Sequence, residues 1–289
     1  LRNIIKAGNV KRSRPLARVI TVTSGKGGVG KSNTAINLAI QFRKMGKKVV
    51  ILDADFGLAN IEIMFGAVPK HNLSDLIYQG KNIKDIITWG PMEVGFISGG
   101  SGITGLSNLS KDYLTYIVHN LAELDTIADV IIVDTGAGIS DAVLEFLVAS
   151  GEILLVTTPE PTSITDSYSL LKALNGHPGL ERDNTQICMI ANRVSTANEG
   201  EVLFQKLDVV VSRYLKLPIT YLGAVPQDPL LAKAVMQQLP VSLQNPQARS
   251  AQAYEEIAAK LMKQDEGQNT QKRGVAAFFS HIIGKRNNG

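Results

Sequence analysis

The chain has 289 residues, 44% of them hydrophobic, and a formal net charge of +4. That is enough apolar material for one large α/β domain or two small ones. Its single cysteine, Cys188, excludes an internal disulfide and a cysteine metal cage, and no apolar run approaches the roughly 20 residues that span a bilayer.

The chain opens on a basic stretch, residues 1–17, with Arg2, Lys6, Lys11, Arg12 and Arg14 and no acid. Because it begins with Leu and not Met, it is expected to continue upstream. Strands are predicted at "RVITVTS" (18–24), "KVVILDAD" (48–55), "DVIIVDTG" (129–136), "EILLVTTP" (152–159), "QICMIANR" (186–193) and "ITYLGAVP" (219–226), with a further candidate at "MEVGFISGG" (92–100). Their near-continuous apolar runs suit parallel strands covered on both faces. Helical patterns at 31–45, 111–127, 140–150, 163–174, 201–214, 229–237 and 248–263 alternate with them. This alternation predicts an α/β fold, a doubly wound, mostly parallel sheet with helices on both faces, over residues 18–263.

Residues 264–273 are polar and read as a linker. Residues 274–289 turn apolar again as "GVAAFFSHIIGKRNNG". At helical spacing Val275, Phe278, Phe279, Ile282 and Ile283 share one face, and Lys272, Arg273, Lys285 and Arg286 flank it. A short helix of this kind suits an anionic membrane surface. It equally suits docking on the body or on a partner.

The sharpest motif is "SGKGGVGKS", residues 24–32, between a strand and a helix. Gly25, Gly27, Gly28 and Gly30 allow positive φ and close backbone approach, so that successive N–H groups can face phosphate oxygens. The helix beginning near Lys31 adds its dipole. Lys31 would reach the β- and γ-phosphates and Ser32 would ligate Mg²⁺, which makes ATP and Mg²⁺ the expected cofactors. Lys26 is a second cation inside the loop. A carboxylate is needed at another strand end, and Asp134 in "VIIVDTGAGI" supplies it. Asp53 and Asp55, two apart at the end of "VVILDAD", share a strand face, with Asp53 a second, weaker metal candidate. In "ANRVS", Asn192 and Arg193 occupy the base-reading position, and Ser195 stands where a guanine-reading Asp would be, which favours adenine.

Taken together, "KGGVGKS", "DADFGLAN", "DTGAGI", "NR" and "VPQD" occur in an order that resembles the deviant Walker A ATPases of the MinD/ParA group. The resemblance implies an ATP-binding set of Gly25, Gly27, Gly28, Val29, Gly30, Lys31, Ser32 and Asn33, with Asn192, Arg193, Pro226 and Asp228 around adenine. It implies that Lys26 reaches the phosphates of a second copy in an ATP-bound homodimer. It also implies that Asp55 positions the attacking water, that Asp134 holds Mg²⁺ through water, and that the tail targets anionic lipid. The basic extension is similar to that of the FlhG (YlxH/FleN) branch, which controls the number and placement of flagella. In that branch Leu1-Arg2 would close an activator motif for the GTPase FlhF. FlhF and flagellar basal-body or C-ring proteins are then the expected partners, without specific DNA. The expected location is cytoplasmic and reversibly on the inner face of the membrane. A MinD-type division-site or ParA-type partition ATPase is the alternative. An electron-transfer ATPase like the nitrogenase iron protein needs two cysteines and fits poorly, and a scaffold without turnover leaves Lys26 and Asp55 unused.

Overall fold

The computed structural model describes residues 16–55, 60–99, 119–267 and 274–284. Strands β1 (Arg18–Thr23), β2 (Val49–Ala54), β3 (Thr88–Trp89), β4 (Gly95–Ser98), β5 (Val130–Thr135), β6 (Glu152–Thr157), β7 (Gln186–Val194) and β8 (Thr220–Pro226) form one sheet. Their order is β3-β4-β2-β5-β1-β6-β7-β8. Every pairing is parallel except that of β3 with β4. The helices are α1 (Lys31–Lys44), α2 (Ile61–Phe65), α3 (Leu73–Gln79), α4 (Ile83–Ile86), α5 (Leu124–Ile127), α6 (Asp141–Ala149), α7 (Pro161–Gly176), α8 (Ala197–Tyr214), α9 (Pro229–Met236), α10 (Val241–Gln244), α11 (Arg249–Gly267) and α12 (Val275–Gly284).

Alternation along the strands divides the core by sheet face. Ile20, Val22, Ile132, Leu154 and Ile190 point to one face, where residues of α1 and α11 cover them. Val19, Ile131 and Val133 point to the other, beneath Phe146 of α6 and the apolar side of α12. Ile153, Leu155, Ile187 and Met189 continue that second face beneath α6, α7 and α8. A sheet buried on both sides explains why its strands read as continuous apolar runs. At the foot of the sheet the Arg18 guanidinium grips both Glu152 carboxylate oxygens, at 2.6 and 2.8 Å, and donates to the Leu261 carbonyl at 3.0 Å. Burial, followed by the charge of Glu152, pushes the Cys188 thiol up to about 12, which suits a packing residue and not a nucleophile.

Helix α11 runs to Gly267, past the expected domain edge at 263. The expected helix at 111–127 is described only from residue 119, and the basic stretch is described only from residue 16. Lys272, Arg273, Lys285 and Arg286 lie outside the described residues. Among the described residues, no helix is long and apolar enough to cross a membrane.

Candidate functional site

The loops that leave the carboxyl ends of β1, β2, β5, β6 and β7 meet at one edge of the sheet. This is the crevice where open α/β sheets bind ligands. The glycine loop joins β1 to α1 there. Gly28 and Gly30 have φ of 76° and 93°, values that side-chain-bearing residues seldom adopt, and Gly30 forms the N-cap of α1. A Cβ on Gly25 would lie 2.2 Å from the Asp166 carbonyl carbon, so the loop's first glycine is required by its packing on α7.

Lys31 is 7% exposed, and its ammonium lies 3.1 Å from Asp134 Oδ1 at the end of β5. Burial drives the Asp134 carboxyl upward; Lys31 and then the Ser32 hydroxyl oppose it without cancelling it. Asp134 Oδ2 is buried with no hydrogen-bond partner, so this acid retains acceptor capacity beside a helix N-terminal Ser. A hard cation with oxygen ligands fits that donor set. Ser32 and Asp134 are the residues that would hold such a cation, which would supply charge neutralisation for a bound phosphate.

Asp53 stands directly opposite Asp134 in the β2–β5 register. Burial, then the charge of Asp134, raises its pKa to about 7. Its oxygens accept the N–H groups of Asp55, Asn60 and Ile61 at 3.1–3.2 Å, so it ties Asp55 and the start of α2 to the end of β2. Asp55 itself lies beside the Asp134 loop, where its Oδ1 is 3.7 Å from where a Cβ on Gly136 would sit. Gly138, in the same loop, donates its N–H to the Ser24 carbonyl at 2.9 Å. The loops bearing Lys31, Asp55 and Asp134 are thus brought together.

Lys26 takes a different direction. Its ammonium meets Glu160 Oε2 at 2.5 Å and Thr162 Oγ1 at 2.8 Å, at the start of α7. Hydrogen bonding to Lys26, then its charge, holds the Glu160 carboxyl below the usual range. Neither Glu160 nor Thr162 was anticipated from the sequence. The available signal was "TTPEPTS", a carboxylate just past an apolar strand.

The base-side residues are already engaged. Asn192 bonds to the glycine loop through Val29. Arg193, exposed within β7, adopts φ of 58° at the irregularity in the β7–β8 pairing between Asn192 and Val194. Asp228 caps α9 through the Leu230 N–H and holds the start of α11 through the N–H and hydroxyl of Ser250. Burial pushes the Asp228 carboxyl up, but the Ser250 and Leu230 bonds outweigh it and leave it lowered. The Pro226–Asp228 segment is half-exposed at the crevice, and Asn33 gives its carbonyl to Asn37 within α1.

The tail residues are placed away from solvent. Val275, Phe278, Phe279 and Ile282 are each 6% exposed or less and belong to the core on the α6 side. The Ile283 side chain lies outside the described set.

A family model described as "ParA: NUBPL iron-transfer P-loop NTPase" matches residues 15–262. The chain belongs to the ParA family. Among relatives of this ParA-type chain, the antiactivator FleN of Pseudomonas aeruginosa is 38% identical over 84% of this chain and 86% of its own. The flagellum site-determining protein YlxH of Helicobacter pylori is 33% identical over 92% of this chain and 90% of its own. Among solved structures, the septum site-determining protein MinD of Pyrococcus horikoshii, complexed with Mg-ADP, matches with a TM-score of 0.67 at 23% identity. That match covers 86% of this chain and 98% of MinD and establishes a shared fold. The eight-stranded doubly wound sheet is therefore that of a MinD/ParA P-loop NTPase.

Proposed function

We propose that this chain is an ATP-driven, dimerising ATPase switch that controls the number and placement of flagella, as its likeness to FleN and YlxH suggests. The observation that carries the reading is the division of labour between the two loop lysines. Lys31 faces Asp134 inside the crevice, whereas Lys26 leans out of its own loop onto α7. In the ATP state Lys26 leaves Glu160 and serves the phosphates of a second copy, so that each site is complete only in the homodimer. The loop N–H groups and Lys31 hold the triphosphate, and Asp55 orients the attacking water. Hydrolysis is slow in the single chain because positioning and charge stabilisation supply most of the catalysis, and part of that comes from the partner.

The tail supplies the output. In its docked position the apolar face of α12 is shielded, and release exposes Val275, Phe278, Phe279 and Ile282 to anionic lipid. Two such helices on one dimer bind far more tightly than one, which makes dimerisation a membrane switch. The protein then cycles between the cytoplasm and the inner face of the membrane. FlhF, through the basic N-terminal segment, and C-ring components are the partners it regulates. The chain from the Asp134 loop supports this coupling, because that loop leads directly into α6 and α6 carries the docked tail.

Molecular mass in solution with ATP, ADP and no nucleotide tests the reading. An Asp55→Ala chain should accumulate as an ATP-bound dimer on anionic vesicles. A chain that stays monomeric with ATP, for wild type and Asp55→Ala alike, would refute it.

A further inference from the structure

We propose that the cavity at the foot of β2 is a docking site for another protein, and that it takes an acidic segment carrying one bulky apolar side chain. The cavity has a volume of about 560 Å³, within the range of ligand-sized clefts. Buried Val49 and Val50 and half-buried Ile127 line it, together with exposed Trp89, Lys48 and Glu93. It opens at the amino end of the strand whose carboxyl end bears Asp53, so it is separate from the nucleotide crevice.

Trp89 is the chain's only tryptophan and is 56% exposed. It stands opposite Gly95 in the β3–β4 register, where a Cβ would lie 3.2 Å from Trp89 Cζ3. Part of the indole therefore covers the glycine while the rest stays open. The turn that follows is strained, because the consecutive residues Met92 and Glu93 have φ of 53° and 57°. Arg43 holds them there. Its Nε donates to the Met92 carbonyl at 2.8 Å, its Nη2 meets Glu93 Oε2 at 2.8 Å, and its Nη1 donates to the Lys47 carbonyl at 3.1 Å. Met92 is left 41% exposed. Backbone strain persists only where its surroundings over-determine it, and it gathers at binding sites. Exposed Trp and Met beside a fixed Arg is also the composition of protein interfaces, where a few such anchors carry most of the binding energy.

Charge selects the occupant. Residues 43–48 read RKMGKK, with four bases and no acid. Arg43 is neutralised by Glu93, and Lys44 donates to the Ser242 carbonyl at 2.7 Å. Asp129 accepts the Lys48 backbone N–H at 2.7 Å, but the ammonium groups of Lys47 and Lys48 meet no carboxylate among the described residues. An acidic segment brings the missing charge, and its apolar side chain fills the cavity against Val49, Val50 and the indole. Nucleic acid would satisfy the two lysines and stack on Trp89, but it would leave the aliphatic floor unfilled.

The test pans a phage library of random short peptides on the full chain and discards binders that a Trp89→Ala chain also retains. The survivors should be rich in Asp and Glu around a Leu, Ile or Phe. Synthetic copies should move the emission of Trp89 to shorter wavelength and saturate, which reports this surface alone because the chain has no other indole. A Lys47→Glu/Lys48→Glu chain keeps the fluorophore and alters only unpaired ammonium groups, so it decides the matter even where Trp89→Ala folds poorly. It should bind the peptides at least about tenfold more weakly. Replacing the peptide's apolar anchor by Ala should weaken wild-type binding by at least about the same factor. An absence of survivors, or survivors without an acidic bias, would overturn the proposal. Equal affinity for wild type and the double variant would do the same. Tighter binding of single-stranded DNA than of the peptides, read through Trp89, would make the surface a nucleic-acid contact and also overturn it.

Discussion

The rings of Phe146 and Phe278 meet with centroids 6.1 Å apart and planes inclined by 33°, joining the helix that follows the Asp134 loop to the C-terminal helix. Phe278 in turn meets Phe279 edge to face at 5.1 Å. At the start of α12, Asp125 Oδ1 accepts the N–H groups of both Val275 and Ala17, at 3.1 and 3.0 Å. A Cβ on Gly274 would stand 2.8 Å from Asp125 Oδ2, so the entry to the helix is closely fitted. The tail is thus held by an apolar face, which Phe146 of α6 helps to form, and by a polar clasp.

Phe146→Ala should release the tail without nucleotide. Truncating a buried Phe to Ala removes about 3–5 kcal/mol of stability, here shared between the α6 packing and the docking of α12. The variant should sediment with anionic vesicles in the absence of ATP, whereas wild type stays in solution. Phe279→Glu should undock the tail too, because Phe279 is 6% exposed, yet leave it unable to enter lipid. If Phe146→Ala stays in solution as wild type does, α6 does not control the tail.

The parts of the site that were legible in the sequence are those whose chemistry is local. The glycine loop needs positive φ at Gly28 and Gly30, and only a few residue types supply it, so its pattern survives as text. Strands covered on both faces must be apolar throughout and announce themselves in the same way. The partners of Lys26 were not legible, because Glu160 and Thr162 stand 134 and 136 residues away and are brought near only by the β1–β6 pairing. The same holds for the carboxylate of Asp228, which accepts the N–H and hydroxyl of Ser250 from 22 residues away. The tail shows a different limit. An apolar helix face is written identically for lipid and for a protein groove, and only the fold shows Val275, Phe278, Phe279 and Ile282 inside. The short helices α3 and α4 had local signals that went unread, the boxes Asn72–Asp75 and Asn82–Asp85.

The metal-free, nucleotide-free protein should lose stability as pH rises from about 4 to 7. Asp53 goes from an unfolded value of 3.8 to about 7 in the fold, so over this interval the folded state binds more protons than the unfolded chain. Stability then falls with pH at up to about 1.4 kcal/mol per unit from this group. Asp228, whose carboxyl is lowered, acts in the opposite sense and only below this window. Thermal unfolding in chelator at pH 5.5, 6.5 and 7.5 measures the slope, and Asp53→Asn should flatten it. An equal slope in wild type and variant would mean that Asp53 is already ionised across the range.

Glu160 and the second copy compete for Lys26. In the single chain the Lys26 side chain is 34% exposed, with Glu160 and Thr162 beside its ammonium. An ion pair this open is easily exchanged, since solvent screens both charges. The triphosphate of a facing copy offers more negative charge, so ATP should draw Lys26 across while ADP leaves it on Glu160. Lys26→Ala should bind ATP with little change, because Lys31 and the loop N–H groups remain, but should stay monomeric at every ATP concentration. Glu160→Gln should do the reverse and shift dimerisation to lower ATP by a few-fold, because the lysine starts without its opposite charge. Light scattering across an ATP titration reads both variants in one experiment. A Lys26→Ala chain that dimerises and hydrolyses normally would leave its contact with Glu160 as a surface ion pair with no part in the switch.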